Sequence, residues 1–215
     1  MKKIISMVIA LSVLSFGVVC AAPLNDFSQG KTSAEFSITN PKLETSDSSG
    51  TTDWNKKTDY DFGVTVGLGN NHALQYKYQN MDSDTTYGYA TAKADVQEFN
   101  YLTKINNNMN WFVGLHHLSG SLDYVYSYDI KEVTKLQAGI TGVYPVNNTT
   151  TEWFTVGLGD SNYTVEAGVG YAIAQNTDLN LFYRYKKFTD LELDGYSRKI
   201  DAESSGFGLG VSVKF

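Results

Sequence analysis

The residues best suited to carry chemistry in this sequence lie in the stretch His-His-Leu-Ser-Gly, residues 116–120. His117 and Ser119 are two positions apart, so in an extended strand their side chains point to the same face. A histidine that accepts the proton of a serine hydroxyl makes a nucleophile, and Glu132 further along the chain supplies an acid to orient the imidazole. The pattern indicates hydrolytic chemistry; without catalysis, the same residues form a polar pair on one face of the strand.

The His-x-Ser spacing of His117 and Ser119 resembles that of the outer-membrane lipid A deacylases. The resemblance implies a hydrolase whose site faces lipid and uses a downstream acid. The sequence departs from that family at Gly120, where the family usually has asparagine. Three residues in a strand of period two also coincide easily by chance. We therefore expect the protein not to be an enzyme, with lipid A hydrolysis as an alternative.

The elements that must position these residues are β-strands, because apolar residues recur at every second position along most of the chain. Helical periodicity is absent. The pattern predicts ten strands, or eight if the segments around residues 159–162 are merged differently. The ten strands cover residues 31–39, 58–69, 72–79, 96–105, 111–118, 134–144, 151–159, 162–173, 179–188 and 204–215.

The connections between these strands are of two kinds that mostly alternate. Short connections rich in asparagine and other turn formers lie at residues 70–71, 106–110, 145–150 and 175–178. Long polar connections lie at residues 40–57, 80–95, 119–133 and 189–203, and the tight turn at 159–162 is the exception. The alternation predicts an up-and-down meander with the short turns and both termini at one end.

The two faces of the strands indicate what surrounds the sheet. One face of the predicted strand 58–69 carries Tyr60, Phe62, Val64, Val66 and Leu68, and the other is mostly glycine and threonine. Glycine suits a water-exposed strand face poorly, but small side chains suit the interior of a narrow closed barrel. The bulky apolar face then points outward, which requires lipid. The sequence predicts an all-β, closed antiparallel transmembrane barrel; a tyrosine-rich soluble sandwich is the alternative.

Aromatic residues with a polar group are expected to form two belts at the membrane interfaces. Trp111, Tyr144 and Tyr171 flank the short turns. Tyr60, Tyr78 and Tyr185 lie near the ends of strands that lead into the long connections.

The chain ends in a strand whose outward positions are apolar and whose last residue is aromatic: Phe207, Leu209, Val211, Val213 and Phe215. This ending resembles the terminal signature of bacterial outer-membrane barrels. Over essentially the whole mature chain the pattern is similar to the small opacity-type and outer-membrane-protein-A-type barrels. The resemblance implies location in the bacterial outer membrane and recognition of the last strand by the barrel-assembly machinery.

Several charged residues fall on the inward face. If the hairpins are simple, Glu166 lies nearly opposite Lys186 with Arg184 diagonal to it, and Glu98 lies nearly opposite His116. Because buried charges persist only when they are paired, we expect these groups to fill the lumen, with a narrow ion-selective pore as the alternative. The predicted set is Lys77, Glu98, Lys104, His116, Lys135, Glu166, Arg184 and Lys186.

The first 21 residues have the layout of a secretory signal peptide: two lysines, an apolar run from Ile4 to Val19, and small residues. Cleavage after Ala21 would leave a mature barrel of residues 22–215 and would remove Cys20, the only cysteine. The mature chain then has 15 basic and 23 acidic side chains, a net charge of −8. This balance argues against nucleic acid as a partner.

The sequence predicts no cofactor, and its three histidines have no spacing typical of a metal site. The expected partners are outer-membrane lipids and lipopolysaccharide, together with an extracellular ligand that the sequence does not identify. Tyr124, Tyr126 and Tyr128 alternate in one long connection and offer an aromatic surface. We therefore expect a non-enzymatic barrel with a structural or surface-interaction role and a lumen filled by side chains.

Overall fold

The computed structural model describes residues 23–195 and 197–215, so the predicted signal peptide and Cys20 lie outside the described residues. The described part contains no helix long and apolar enough to cross a membrane. Its strands are β1 (Thr32–Thr39), β2 (Lys42–Asp47), β3 (Gly50–Lys56), β4 (Asp59–Gly69), β5 (His72–Asp84), β6 (Thr91–Lys104), β7 (Met109–Asp123), β8 (Ser127–Pro145), β9 (Thr150–Gly159), β10 (Asn162–Ala174), β11 (Thr177–Glu192) and β12 (Lys199–Lys214).

Ten of these strands form a closed antiparallel barrel. Strand β1 pairs with β4 on one side and β12 on the other, and β4 through β12 pair in sequence order. At the seam, Thr32 N donates to Phe215 O at 3.1 Å and Phe215 N donates to Thr32 O at 2.8 Å. The prediction of ten strands is confirmed, and the terminal strand closes the sheet, which leaves no open edge in the barrel.

The hairpin β2–β3 is additional to the ten strands of the barrel. The sequence did not predict it. Strand β2 pairs with residues 201–205 of β12, and β3 pairs with Asp84 and Ser83 of β5. The prediction of a loop over residues 40–57 is therefore wrong. Alternate positions of the hairpin, Leu43, Thr45 and Trp54, are buried, and Trp54 Nε1 donates to Thr45 Oγ1 at 2.9 Å. The intervening polar residues obscured this alternation in the sequence.

The other long connections are also mostly strand, so residues 80–95, 119–133 and 189–203 were wrongly predicted as loops. Strands β5 to β8, β11 and β12 all continue into these segments. Their inward positions are apolar and buried, for example Ala92, Leu122 and Ile200, while their outward positions are polar. The outer ends of the strands thus extend the barrel beyond the lipid, with the polar face in water and the apolar face inside.

Within the predicted membrane region the faces are arranged as expected. Tyr60, Phe62 and Leu209 are 53%, 44% and 52% exposed, whereas inward Thr65 is only 2% exposed. Glycine is required where another group crosses the interior. A Cβ on Gly208 would lie 2.8 Å or less from the ring of the inward Phe182. Bulky apolar groups therefore face outward because glycine leaves room for other groups inside.

Candidate functional site

The middle of the barrel interior holds a group of acidic and basic side chains from strands on opposite walls, here called the central charge cluster. Lys186 Nζ of β11 lies 2.6 Å from Glu98 Oε1 of β6, and Arg184 Nη1 of β11 lies 2.6 Å from Asp61 Oδ2 of β4. Neither strand is a neighbour of β11 in the sheet, so these ion pairs span the lumen. The cluster consists of Glu35, Asp61, Lys77, Glu98, Glu166, Arg184 and Lys186.

The strand registers agree with one predicted pairing and differ from the other. Glu98 is directly opposite His116, as predicted, and it also has Lys77 opposite on the other side. Glu166 is opposite Arg184, to which it is hydrogen-bonded, and not opposite Lys186. The difference arises because β10 and β11 pair up to Ala174 and Thr177, which makes the turn shorter than predicted, and because the register then shifts by one residue between Ala172 and Ala174. Lys186 instead donates to Gln79 and Glu98 across the lumen.

Glu35 and Asp61 belong to the cluster but were not predicted as lumen charges. Both lie on inward positions, since the register places Glu35 opposite Gly63 and Asp61 opposite Ser37 on adjacent strands. The period-two pattern already put Asp61 on the inward face of its strand. The alternation along residues 58–69 therefore contains the signal for Asp61.

Three predicted lumen residues lie on inward positions outside the cluster. His116 is 1% exposed, and its ring packs 5.9 Å from that of Phe188. Lys135 forms an ion pair of 2.9 Å with Asp160 in the β9–β10 turn. Lys104 lies at the short-turn end of the barrel, with Nζ 5.7 Å from the centroid of the Phe27 ring. Lys104 therefore lies at the short-turn end, while His116 and Lys135 are successive neighbours of Glu98 on β7 and β8.

Above the cluster, the interior is filled by apolar side chains, here called the outer core. Phe188, Leu118 and Val96 are at most 2% exposed, and Trp54 of the hairpin covers the group from outside. Burial of this apolar surface stabilises the extended ends of the strands. The outer core consists of Leu43, Trp54, Met81, Ala90, Ala92, Ala94, Val96, Leu118, Leu122, Ile130, Phe188, Leu191, Leu193, Ile200 and Ala202.

Below the cluster, residues 23–31 enter the barrel from the short-turn end; this segment is called the N-terminal plug. Phe27 is 1% exposed and packs with Ala73, Leu102 and Phe112. Gly69 N donates to the Phe27 carbonyl at 2.9 Å. The sequence offered only a weak signal for this feature, an isolated apolar pair between a proline and polar residues. The plug fills the end of the lumen that the strands leave open.

The N-terminal plug packs closely against Gly67. We expect Gly67→Ala to displace the plug from the lumen. A Cβ at this position would lie 2.9 Å from Phe27 C and O and would overlap the Ser28 carbonyl oxygen. In a mature chain without Cys20, a Leu24→Cys thiol should then react with a maleimide at least about tenfold faster than in the Gly67 parent, because Leu24 is only 5% exposed when seated.

Gly63→Ala is the matched control, since its Cβ would meet only ordinary contacts at 3.6 Å or more. Equal labelling rates in the Gly67→Ala and Gly63→Ala chains would show that the plug does not depend on this close approach.

The residues proposed for hydrolysis are not assembled into a triad. His117 Nδ1 is 2.9 Å from Thr134 Oγ1, and Ser119 makes no side-chain hydrogen bond among the described residues. Glu132 lies in a β-bulge, because β7 and β8 shift register between Leu118 and Gly120. Glu132 lines a cavity that also contains His116. The three residues are therefore close in the sheet but have different neighbours.

That cavity of about 360 Å³ marks a side opening in the outer wall. Strands β9 and β10 end at Gly159 and Asn162, while β8 and β11 continue past them. Above the gap, Ile130 bridges to Leu193 and Lys131 Nζ lies 3.0 Å from Glu192 Oε2. The hydrogen bond from Lys131 lowers the pKa of Glu192. The floor of the opening is His116, Leu118 and Phe188, so it does not reach the central charge cluster.

The predicted belt and terminal residues lie on the outward face. Trp111, Tyr144 and Tyr171 are exposed next to the short turns. Near the outer end, Tyr78 donates to Asp95, and the hydroxyls of Tyr185 and Tyr163 lie 3.0 Å apart. Tyr60 is exposed beside Phe36. In the last strand, Phe207, Leu209 and Phe215 are exposed, Val211 is half-buried and Val213 is mostly covered.

A second cavity of about 560 Å³, the tyrosine cleft, opens at the outer surface between the β2–β3 hairpin and the β7–β8 loop. Tyr89, Tyr124, Tyr126 and Tyr128 line it, and the Tyr124 ring packs 5.4 Å from that of Trp54. Burial raises the pKa of Tyr124. Among residues 23–195 and 197–215, no group of three or more His, Cys, Asp or Glu side chains is placed to hold a metal ion.

Comparison with known proteins shows a family match and several similar folds. Residues 11–215 match a family model described as outer membrane protein beta-barrel domain. No curated protein sequence matches the chain. The outer membrane protease OmpT from Escherichia coli superposes with a TM-score of 0.59 at 10% identity, covering 86% of this chain and 97% of OmpT.

Two further solved structures are similar. The outer membrane protein AlkL in lipid bilayers has a TM-score of 0.51 at 13% identity, covering 93% of this chain and 96% of AlkL. Neisserial surface protein A has a TM-score of 0.46 at 17% identity, covering 87% of this chain and all of that protein. At these identities the likeness concerns the fold alone.

Proposed function

Because the chain belongs to the family of outer membrane protein beta-barrel domains, we propose that it is a non-enzymatic barrel with a closed lumen and a structural or surface-interaction role. The family indicates the outer membrane as its location. The proposed role assigns the membrane strands to anchoring and the outer extension to contacts outside the cell.

The observation that carries this proposal is the outer core. A barrel that conducts solutes needs a continuous polar path, whereas here fifteen apolar residues pack across the interior above the charges. The cavities beside the central charge cluster have volumes of only about 50 Å³ and 20 Å³. The N-terminal plug covers the opposite end. These three layers support a sealed barrel over the alternative of an ion-selective pore.

A planar-bilayer recording tests the seal. We expect the purified protein to give no steady current, because ions cannot cross the dry outer core. A chain that lacks residues 23–30 should also stay closed, since the outer core remains. Reproducible unit steps with the unmodified protein would contradict the proposal, and steps only in the shortened chain would assign the seal to the N-terminal plug.

The geometry around Ser119 supports a non-enzymatic role. His117 Nδ1 has Thr134 as its partner, and Glu132 faces the side opening. A serine without a hydrogen-bonded base lacks the activation that nucleophilic catalysis needs. The pair then acts as polar groups at the outer boundary of the lipid.

The tyrosine cleft supports a surface-interaction role. Its volume of about 560 Å³ falls in the range typical of ligand sites, and aromatic residues are frequent at sites of recognition. Tyr89 and Tyr126 are 61% and 72% exposed and so are available to a partner. The partner we propose is an extracellular molecule that contacts these rings, while lipopolysaccharide and the lipids surround the barrel wall.

A further inference from the structure

The tyrosine cleft has two walls of different chemistry. One wall consists of the rings of Tyr89, Tyr124, Tyr126 and Tyr128 around the β5–β6 and β7–β8 loops. The other wall is the β2–β3 hairpin, where five serine and threonine residues of the segment 45–52 line the cleft. Flat aromatic surfaces therefore lie across from short hydroxyl groups.

Trp54 connects the two walls. The Tyr124 ring packs against Trp54 at a centroid distance of 5.4 Å, and Trp54 Nε1 donates to Thr45 Oγ1 at 2.9 Å. At the loop tip, Tyr124 N donates to the Tyr126 carbonyl at 3.0 Å. These contacts hold the ring wall and the hydroxyl wall in position before a ligand binds, which lowers the entropic cost of binding.

The floor of the cleft is closed. It consists of Leu122, Leu193 and Ile200, which belong to the outer core. A ligand in the cleft is therefore held at the outer surface and does not enter the lumen.

The charges of the cleft favour an uncharged ligand. Among the described lining residues, Asp47 is the only one that carries charge. Its Oδ1 accepts from Ser49 N at 2.7 Å and Gly50 N at 3.2 Å, and its Oδ2 lies 3.6 Å from Arg198 Nη1. The lining offers no cation to a sulfate or carboxylate group. Cleavage of a glycosidic bond also needs a pair of carboxyl groups, so the cleft is suited to binding without hydrolysis.

A strained tyrosine lies next to the ring wall, two residues before Tyr89. Tyr87 and Gly88 have φ angles of 54° and 80°, and Tyr89 N donates to the Thr86 carbonyl at 3.3 Å. These are the central residues of a tight turn whose first central position usually holds asparagine, aspartate or glycine. Backbone strain of this kind clusters at functional sites, and the Tyr87 side chain is 70% exposed. The turn thus presents a further aromatic ring at the outer surface.

The face of a tyrosine ring is apolar and carries partial negative charge, which attracts C–H groups, while serine and threonine hydroxyls both donate and accept hydrogen bonds. A pyranose sugar has both complementary parts, a face of C–H groups and a rim of hydroxyls. We propose that the tyrosine cleft binds an uncharged oligosaccharide, with the rings stacked on the sugar faces and the hairpin hydroxyls at the sugar rims. The volume of about 560 Å³ accommodates a short oligosaccharide. This inference rests on the proposed surface-interaction role and narrows the partner to one chemical class.

The sugar is tested with the protein in lipid nanodiscs on an array of neutral, sulfated and sialylated glycans, with a peptide array beside it. We expect neutral glycans to bind. The affinity for the strongest neutral glycan, measured by calorimetry, should fall at least about tenfold in the double variant Tyr89→Ala and Tyr126→Ala, because two exposed rings are removed.

The double variant Tyr89→Phe and Tyr126→Phe is the matched control, since it keeps both rings and should bind within about threefold of the parent. Tyr171→Ala, which removes an exposed tyrosine at the opposite end of the barrel, should bind as the parent does. The proposal is overturned if no neutral glycan binds, if only sulfated or sialylated glycans bind, or if the alanine variant binds like the parent. Ring-dependent binding to peptides alone would refute the sugar but keep the surface-interaction role, whereas no binding to either array would count against both.

Discussion

Lys186→Met should lower the free energy of unfolding by about 3–5 kcal/mol, the largest loss we expect from a single charge in this protein. Lys186 is 1% exposed and its Nζ donates to both Gln79 and Glu98 across the lumen. The methionine keeps the length of the side chain but leaves Glu98 ionised without its closest cation. The loss is measured by urea unfolding of the protein refolded into lipid vesicles, followed by tryptophan fluorescence.

Lys187→Met is the matched control, because Lys187 is the next residue and pairs with Glu203 and Asp201 at the outer rim. Partly solvated pairs of this kind contribute about 1 kcal/mol or less. Combining Lys186→Met with Glu98→Leu should recover most of the loss, since removing both charges also removes their desolvation penalty. Equal losses for the two lysine variants would show that the lumen pair is not buried as described.

Phe188→Ala should destabilise the protein by about 3–5 kcal/mol, because it removes a large ring from the outer core. Phe188 is 2% exposed and contacts the His116 ring at a centroid distance of 5.9 Å. The outer core lies where the strands extend beyond the lipid, so no acyl chain fills the space that the ring leaves. The same urea titration in vesicles measures the effect.

Phe207→Ala provides the comparison on the outward face, where Phe207 is 68% exposed. Truncation there leaves no internal cavity, since lipid fills the space, and the loss should be less than half as large. If Phe207→Ala costs as much as Phe188→Ala, the outer core is not a packed interior.

The barrel was predictable because its signal is repeated in every strand. The alternation of residues such as Tyr60, Phe62 and Val64 with small inward residues fixes both the strand type and the face that meets lipid. The strand extensions were not predicted because the outward face is apolar inside the membrane but polar above it. There the outward residues meet water and are polar, so segments such as residues 189–203 look like loops although their inward residues are buried.

The site was predictable in membership more than in geometry. The alternation along each strand predicts that Lys186, Arg184, Glu98 and Glu166 face inward. Their contacts across the lumen depend on the barrel radius and on strand tilt, which a sequence does not specify. A turn shorter than predicted, together with a bulge near Ala174, also moved the partner of Glu166 from Lys186 to Arg184. The N-terminal plug carries no periodic signal, because its position depends on tertiary packing around Phe27.

The way β12 is shared between two partners limits how the surface of this protein can be redesigned. Its inner half, residues 208–214, pairs with β1, and residues 201–205 pair with β2. A short linker in place of the β2–β3 hairpin would leave residues 201–205 of β12 without a partner strand. Their free backbone donors and acceptors would form an exposed sheet edge, which promotes aggregation. The first surface segment is therefore a poor graft point for foreign epitopes, whereas the β7–β8 tip at residues 124–126 joins two strands that pair with each other as far as Asp123 and Ser127.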